Sequence, residues 1–106
     1  MTSINGSIIT DGQGRRLTLR ELGVLEESRL VRLVGADAEN RVYMSGYVMP
    51  VVAVAAIDGE PCDLPLTARG LEAQISLIGN AGIKAVLEFL VAQNTAAAGD
   101  DTVKNS

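Results

Sequence analysis

An uncharged stretch from Val42 to Ile57 limits the fold of this chain more than any other feature of its sequence. Such a stretch has to be buried in the domain or bound to another chain, because it has no polar side to face water. A membrane span needs about 20 apolar residues, and this shorter run is interrupted by Ser45, Gly46 and Pro50. We therefore predict a buried helix over residues 41–57. A buried strand is the alternative for its last part, at Val51, Val52, Val54 and Ile57.

The overall composition fits one small domain. The chain has 106 residues and 47% of them are hydrophobic, so a single modest core is expected. Only Tyr43, Tyr47 and Phe89 are aromatic, so Leu, Val, Ile and Ala have to fill that core. The net charge of −4 gives no attraction to nucleic acid. Six arginines lie in the first half, but glutamates alternate with them, and we interpret the group as a solvated face: Arg15, Arg16, Arg20, Arg29, Arg32 and Arg41.

Hydrophobic periodicity predicts an α+β domain that is mainly α: an N-terminal β-hairpin packed on a small bundle of about four α-helices. The hairpin covers about residues 8–20 and turns at the glycine-rich residues 11–14. The helices cover about residues 24–34, 41–57, 67–78 and 81–94. Residues 8–94 then form a single domain, with a flexible leader at 1–7 and a disordered tail at 95–106.

The predicted helices differ in how clearly they define a buried face. In the first helix, one face holds Val24, Leu30, Val31 and Val34, whereas Leu25 and Leu33 fall on the charged side, where either the hairpin or a partner covers them. The third helix begins at its cap Thr67, buries Ala68, Leu71, Ile75 and Ile78, and stops at Gly79. The last helix has the strongest pattern, formed by Ile83, Val86, Leu87, Leu90 and Val91.

Side chains that catalyse reactions or bind metals are scarce in this sequence. The absence of histidine excludes imidazole acid–base chemistry and histidine metal ligands. Cys62 is the only cysteine and has no basic neighbour, which excludes a cysteine zinc site and indicates an unreactive thiol. The N-terminus lacks the basic start and apolar block of a signal peptide. We therefore predict a cytoplasmic protein that is not an enzyme and binds no cofactor or metal.

Three segments in a fixed order point to a known family. Residues 15–22 lead directly into residues 25–35, the uncharged stretch ends in Ile57-Asp58-Gly59-Glu60-Pro61, and a short helix is followed by residues 77–86. In this order they resemble the small tail assembly chaperones of long-tailed bacteriophages and prophages, and the resemblance covers about residues 8–91.

The resemblance implies a non-catalytic protein in the cytoplasm of the host bacterium. Proteins of this family bind the phage tape-measure protein and keep it soluble before the tail tube forms around it. They also help to recruit tail tube subunits and are absent from the finished virion. A chain with one domain corresponds to the short form, to which a ribosomal frameshift adds a second domain in many such phages. The family has no catalytic residues to carry over.

Five side chains off the core stripes are candidate partner contacts: Leu25, Leu33, Tyr43, Tyr47 and Phe89. For the three aromatic residues the alternative is an ordinary position at the edge of the core, and for the two leucines it is cover by the hairpin. Self-association into a homo-oligomer is also expected, because small apolar domains often bury their remaining surface in this way. Neither nucleic acid nor a membrane is an expected partner. The competing functions are a structural phage tail or virion subunit, a small nucleic-acid-binding regulator that uses the arginines, and membrane association of residues 42–57.

Overall fold

A computed structural model describes the backbone of residues 4–105 and the side chains of residues 4–93. The domain is α+β and mainly α, with an N-terminal hairpin, as the sequence predicted. Strand β1 (Ile8–Thr10) pairs antiparallel with β2 (Arg16–Leu19), and Ile9 lies opposite Leu17. The turn between them is closed by the Gly14 N–H, which donates to the Asp11 carbonyl over 3.0 Å. The predicted hairpin is therefore confirmed.

Helix α1 (Val24–Val34) follows the hairpin and ends in a 3-10 turn at Gly35–Glu39. Helix α2 covers 41–52, as an α-helical turn at Arg41–Tyr43, a π-helical stretch at Met44–Val48 and a last turn at Met49–Val52. Pro50 cannot donate a backbone hydrogen bond. The π-helical stretch contains Gly46, whose carbonyl lies four residues before Pro50 and would have accepted the missing bond, so the ladder is altered at the defect and the helix continues past it.

The predicted helix over residues 41–57 is wrong in its last part, where the alternative of a strand is confirmed for Val54 and Ile57 and wrong for Val51 and Val52, which are helical. Residues Val54–Ile57 form strand β3, which pairs antiparallel with β2, and Glu60–Pro61 form a short β4. The result is one four-stranded sheet in the order β1-β2-β3-β4. Asp58 and Gly59 form the two-residue turn between β3 and β4 with φ of 50° and 86°, the positive values that a tight hairpin turn requires.

Arg20 fixes the point at which α2 ends and β3 begins. Its backbone N–H donates to the Ala53 carbonyl, and its guanidinium donates to the carbonyls of Val52 and Val54 over 2.8 Å and 3.0 Å. The carbonyls of Val52 and Ala53 belong to the helix end, which leaves them without an intrahelical donor, and Val54 is the first residue of β3. Arg20 is therefore structural, which corrects the interpretation of all six arginines as a solvated face.

Helix α3 (Ala68–Asn105) contains the third and fourth predicted helices in a single element that breaks at Gly79. Gly79 has φ 66° and ψ −175°, a conformation that is essentially restricted to glycine. The sequence predicted this stop correctly. The helix is assigned through Asn105, whereas residues 95–106 were predicted to be a disordered tail. The side chains from residue 94 onward and all of residue 106 lie outside the described part, so the tail stays a prediction.

A buried ion pair joins the hairpin turn to the break in α3. The Asp11 side chain is fully buried, and one carboxylate oxygen accepts from the backbone N–H groups of Gln13 and Arg15, both over 2.9 Å. The other oxygen accepts from Arg15 Nε over 2.7 Å. The Arg15 guanidinium also donates to the carbonyls of Leu77 and Ile78 over 2.9 Å and 2.6 Å, which places a cation at a helix C-terminal end. Arg15, like Arg20, is thus structural.

This environment lowers the pKa of Asp11 below its ordinary value. Burial acts in the opposite direction, because it disfavours the charged form of a carboxyl group. The hydrogen bonds from the Arg15 backbone and side chain and from the Gln13 backbone outweigh burial, and the positive charge of Arg15 adds to their effect. Asp11 is therefore held as a carboxylate.

The core consists of two clusters on either side of α2. The first lies between the sheet and α3 and includes Leu17, Leu19, Val54, Ile78 and Val86. The second joins α1 to the other helices through Leu30, Val48, Val52 and Leu71. In α1 only Leu30 is fully buried, and Leu33 and Val34 pack beside it. The predicted buried face of α1 is wrong for Val24 and Val31, which are exposed.

Part of the predicted flexible leader is fixed to the domain. The Gly6 N–H donates to the Leu19 carbonyl over 2.8 Å, the Leu19 N–H donates to the Ser7 carbonyl over 2.7 Å, and Ile4 packs on the first core cluster. These bonds extend the β1–β2 pairing backward from Ile8 to Gly6. Residues 1–3 lie outside the described part of the chain.

Thr67 is the N-cap of α3, as the sequence predicted, because its Oγ1 accepts from the Gly70 N–H over 2.9 Å. We expect Thr67→Ala to lower the free energy of unfolding by about 1 kcal/mol, the usual cost of losing a capping hydroxyl. Thr67→Ser keeps the acceptor and should be nearly neutral. Urea unfolding of both variants measures the difference, and equal stabilities of the two would contradict the assignment.

Candidate functional site

An apolar groove beside α1 is the strongest candidate for a binding site. It has a volume of about 310 Å³ and lies between α1 and the chain that leads into α3. Leu30 and Leu33 of α1 line one side, and the Leu64-Pro65-Leu66 segment lines the other. Glu26 and Arg29 complete the lining as the only charged residues, and we call these two residues the rim.

Leu66 is the most exposed large apolar side chain among the described residues, at 91% of its full accessibility. It directly precedes the N-cap Thr67, and an apolar residue at this position usually packs against the fourth residue of the helix. Here that residue is Leu71, which is buried in the second cluster. Since Leu66 is left in solvent, it makes no such contact and projects from the edge of the groove.

The segment that carries Leu66 is held in place at both ends. On one side, the Gln74 side-chain amide donates to the Asp63 carbonyl, and Leu64 packs on the second core cluster. On the other side, Thr67 caps α3. The exposure of Leu66 therefore results from an anchored loop, and a ligand would find this side of the groove already formed.

The rim carries one negative and one positive side chain. The Glu26 carboxylate accepts from the Gly23 N–H over 2.8 Å through one oxygen, which caps the start of α1. Neither side chain forms a direct ion pair within residues 4–93, although the positive charge of Arg20 acts on Glu26. A ligand over the apolar floor therefore meets one charge of each sign.

Two of the five predicted contact residues lie in α1 near this groove. Leu33 lines it and also packs on the second core cluster. Leu25, one residue before Glu26, is 61% exposed. The hairpin covers neither side chain, because Leu25 is exposed and the cluster on which Leu33 packs contains no residue of β1 or β2. Cover by the hairpin, one of the two alternatives for these leucines, is therefore wrong.

The three predicted aromatic residues lie elsewhere. Tyr43 and Tyr47 in α2 form a tilted ring pair with centroids 6.2 Å apart, in which Tyr43 is half-buried against the second cluster and Tyr47 is exposed. Phe89 packs on the first cluster at the sheet side. The structure therefore does not bring the five predicted residues into one site, and their role in binding stays a prediction.

The second side of the groove was not among the predicted contacts. Residues 58–66 lay between two predicted helices, and no role was predicted for Leu66. A signal was present: a Leu-Pro-Leu sequence directly before a helix cap provides two apolar side chains on a stiffened backbone. Only the packing decides that the first leucine is half-buried and the second exposed, so the sequence could not have shown where the groove opens.

The described residues contain no group of three or more His, Cys, Asp or Glu side chains that could hold a metal ion. Cys62 is half-buried, and burial raises the pKa of its thiol above the ordinary value, although the nearby Arg20 charge acts the other way. A thiol with a raised pKa is largely protonated at neutral pH and is a poor nucleophile.

One helix in the described part, Ala68–Gln93, is long and apolar enough to cross a membrane by length and composition alone. Its backbone breaks at Gly79, and Leu71, Ile78 and Val86 are buried in the domain. These three side chains attach the helix to the core, and 17% of its most apolar window is buried in the domain. The uncharged stretch of residues 42–57 is divided between α2 and β3, and its helical part falls short of the roughly 20 residues that a span requires.

Comparison with known proteins found no relative: neither a protein-family model, nor a curated protein, nor a solved structure matches this chain.

Proposed function

We propose that this chain is a tail assembly chaperone of a long-tailed phage or prophage, which binds the tape-measure protein in the host cytoplasm without catalysis. The observation that carries the proposal is the apolar groove with the 91% exposed Leu66 at its edge. The tape-measure protein is proposed as the partner because residues 8–91 resemble a family that binds it. In the same proposal, the chaperone also helps to recruit tail tube subunits to the bound tape-measure protein.

The groove suits an amphipathic helix. Binding of this kind places the apolar stripe of a helix against an apolar floor and its polar side toward water. Leu30, Leu33 and Leu64 supply such a floor, and the rim charges lie where they can meet polar residues of the ligand. A long helical partner presents many similar stripes before assembly, and covering them prevents aggregation, since exposed apolar patches associate with one another.

Co-expression with the tape-measure protein encoded by the same phage tests the proposal. We expect the chain to raise the soluble yield of that protein and to co-purify with it. Leu66→Asp should weaken co-purification about tenfold, because it places a charge in the apolar contact. Leu77→Asp is the matched control, since Leu77 is 57% exposed and does not line the groove.

Two outcomes would contradict the proposal. One is an unchanged solubility of the tape-measure protein together with no co-purification. The other is recovery of the chain from purified tails in stoichiometric amounts, measured by mass spectrometry, because a virion subunit remains in the particle and an assembly chaperone leaves it.

A further inference from the structure

We infer that a second copy of the same chain covers the groove in the free protein, in a two-fold symmetric dimer built around α1 and Leu66. The dimer itself is independent of the proposed function. Its consequence, that the tape-measure helix has to displace the second copy, rests on that function. The second copy would then cover the groove until the tape-measure protein binds.

The shape of this face is complementary to itself. A two-fold dimer uses the same patch on both copies, so the patch has to contain both a projection and a recess that receives it. Leu66 is the projection, and the floor formed by Leu30, Leu33 and Leu64 is the recess. Each copy can therefore place its Leu66 over the floor of the other and receive the same contact in return.

The charges of the rim are complementary in the same way. Glu26 and Arg29 are three residues apart and lie on one side of α1. When two α1 helices pack antiparallel about a two-fold axis between positions 27 and 28, Glu26 of each copy lies opposite Arg29 of the other. The dimer then contains two equivalent ion pairs, and both use side chains that have no ion-pair partner within residues 4–93 of a single copy.

The second copy fits this rim better than an unrelated uniformly charged helix. A helix with only acidic or only basic residues along its polar edge would pair with one rim charge and repel the other. The chain itself carries one charge of each sign at the matching spacing. The two-fold arrangement thus satisfies both charges and both apolar contacts with no additional element.

The dimer should be weak. Helix α1 has 11 residues and is therefore roughly 16 Å long. Stable complexes usually bury about 800 Å² on each partner, which α1 and one loop do not reach. We expect a dissociation constant in the micromolar range, so that a longer helix can displace the second copy.

Sedimentation velocity of the purified full chain over a range of concentrations tests the inference. We expect a reversible monomer–dimer equilibrium. Arg29→Glu should raise the dissociation constant at least about tenfold, because each rim contact then sets two carboxylates against each other. Glu26→Arg should act in the same direction, and Leu66→Asp should also dissociate the dimer. Arg29 and Leu66 are exposed, so Arg29→Glu and Leu66→Asp should keep the thermal midpoint of the parent chain, whereas Glu26→Arg also removes the cap at Gly23 and should lower it.

The combined variant Glu26→Arg with Arg29→Glu shows whether the single variants weaken the dimer by breaking the Glu26–Arg29 ion pairs or by a nonspecific effect of changing a surface charge. Exchanging the two charges restores both ion pairs, so the dissociation constant should return to within about threefold of the parent value. The combination Glu27→Arg with Arg32→Glu is the matched control. It exchanges the same charges on exposed positions of α1 that do not line the groove, and it should leave the dimer unchanged.

The inference is overturned if the chain is monomeric at every concentration, if the dimer is unaffected by Arg29→Glu, or if the combined variant fails to restore it. Failure of the proposed function is measured separately, by co-purification with the tape-measure protein. A monomeric chain that still binds that protein would refute the dimer alone. A dimer that has the predicted charge dependence but never binds the tape-measure protein would refute the function alone.

Discussion

Replacing Asp11 with alanine is expected to lower the free energy of unfolding by about 3 kcal/mol, because the change removes one side of a buried ion pair and the acceptor for two backbone N–H groups. Arg15 would keep its bonds to Leu77 and Ile78 but lose its counter-ion. For a domain of this size, the loss corresponds to a thermal midpoint about 15 °C lower. Urea and thermal unfolding followed by circular dichroism measure both quantities.

Asp37→Ala is the matched control for Asp11→Ala. Asp37 is exposed in the 3-10 turn after α1, and its side chain has no hydrogen bond or ion pair with residues 4–93. An exposed substitution of this kind usually changes stability by no more than about 0.5 kcal/mol. If both variants lost the same stability, the role assigned to the buried carboxylate would be incorrect.

The Asp11 carboxylate also makes stability depend on pH. Its pKa is lowered in the folded state, so its contribution is fully present above the pKa of the unfolded chain, which is about 4. The contribution is lost as the pH falls from there through the lower folded pKa, because the unfolded chain then binds more protons. The stability difference between the parent chain and Asp11→Ala should therefore shrink between pH 5 and pH 2, as urea titrations across roughly that range would measure.

Gly79→Ala is expected to cost about 2 kcal/mol, because φ 66° with ψ −175° is strained for any residue with a Cβ atom. The added methyl group itself meets no atom within 4 Å, so the cost is conformational. A chain that avoids the strain by straightening α3 would move the carbonyls of Leu77 and Ile78 away from Arg15. Backbone strain at position 79 and loss of the Arg15 bonds each lower the free energy of unfolding, which urea denaturation measures.

Gly46→Ala is the control for Gly79→Ala, and its expected effect on the free energy of unfolding has the opposite sign. Gly46 lies within the helical part of α2, its φ is not positive, and an added Cβ has no neighbour within 4 Å. Alanine is favoured over glycine inside a helix by up to about 1 kcal/mol. We therefore expect Gly46→Ala to stabilise the domain and Gly79→Ala to destabilise it. A stabilising Gly79→Ala would show that the break in α3 is not required.

Several elements could be predicted because their signals are local. A glycine-rich turn between two β-capable segments specifies the hairpin, and Thr67 and Gly79 mark a cap and a stop whatever surrounds them. The stripe of α3 is likewise visible, because Leu71, Ile78 and Val86 repeat with helical spacing and face the core.

The strand β3 is the clearest failure of local reasoning. Residues 53–56 are Ala-Val-Ala-Ala, a sequence with high helix propensity, yet Val54–Ile57 form a strand. Helix propensities differ by less than about 1 kcal/mol per residue. Pairing with β2 and capping by Arg20 outweigh them, and neither partner is close in sequence. The two structural arginines were missed for the same reason, because their acceptors are carbonyls 32 to 63 residues away.

The amino-acid order alone thus determined the class of fold, the hairpin, the limits of α1 and the break in α3, since propensity, periodicity and turn chemistry act over a few residues. The tertiary structure decided which face of α1 is buried, where α2 becomes a strand, and that Leu66 stays in solvent beside an apolar groove. Those outcomes depend on contacts between segments far apart in the chain, and the free energy of such contacts exceeds the small local preferences that a sequence pattern reports.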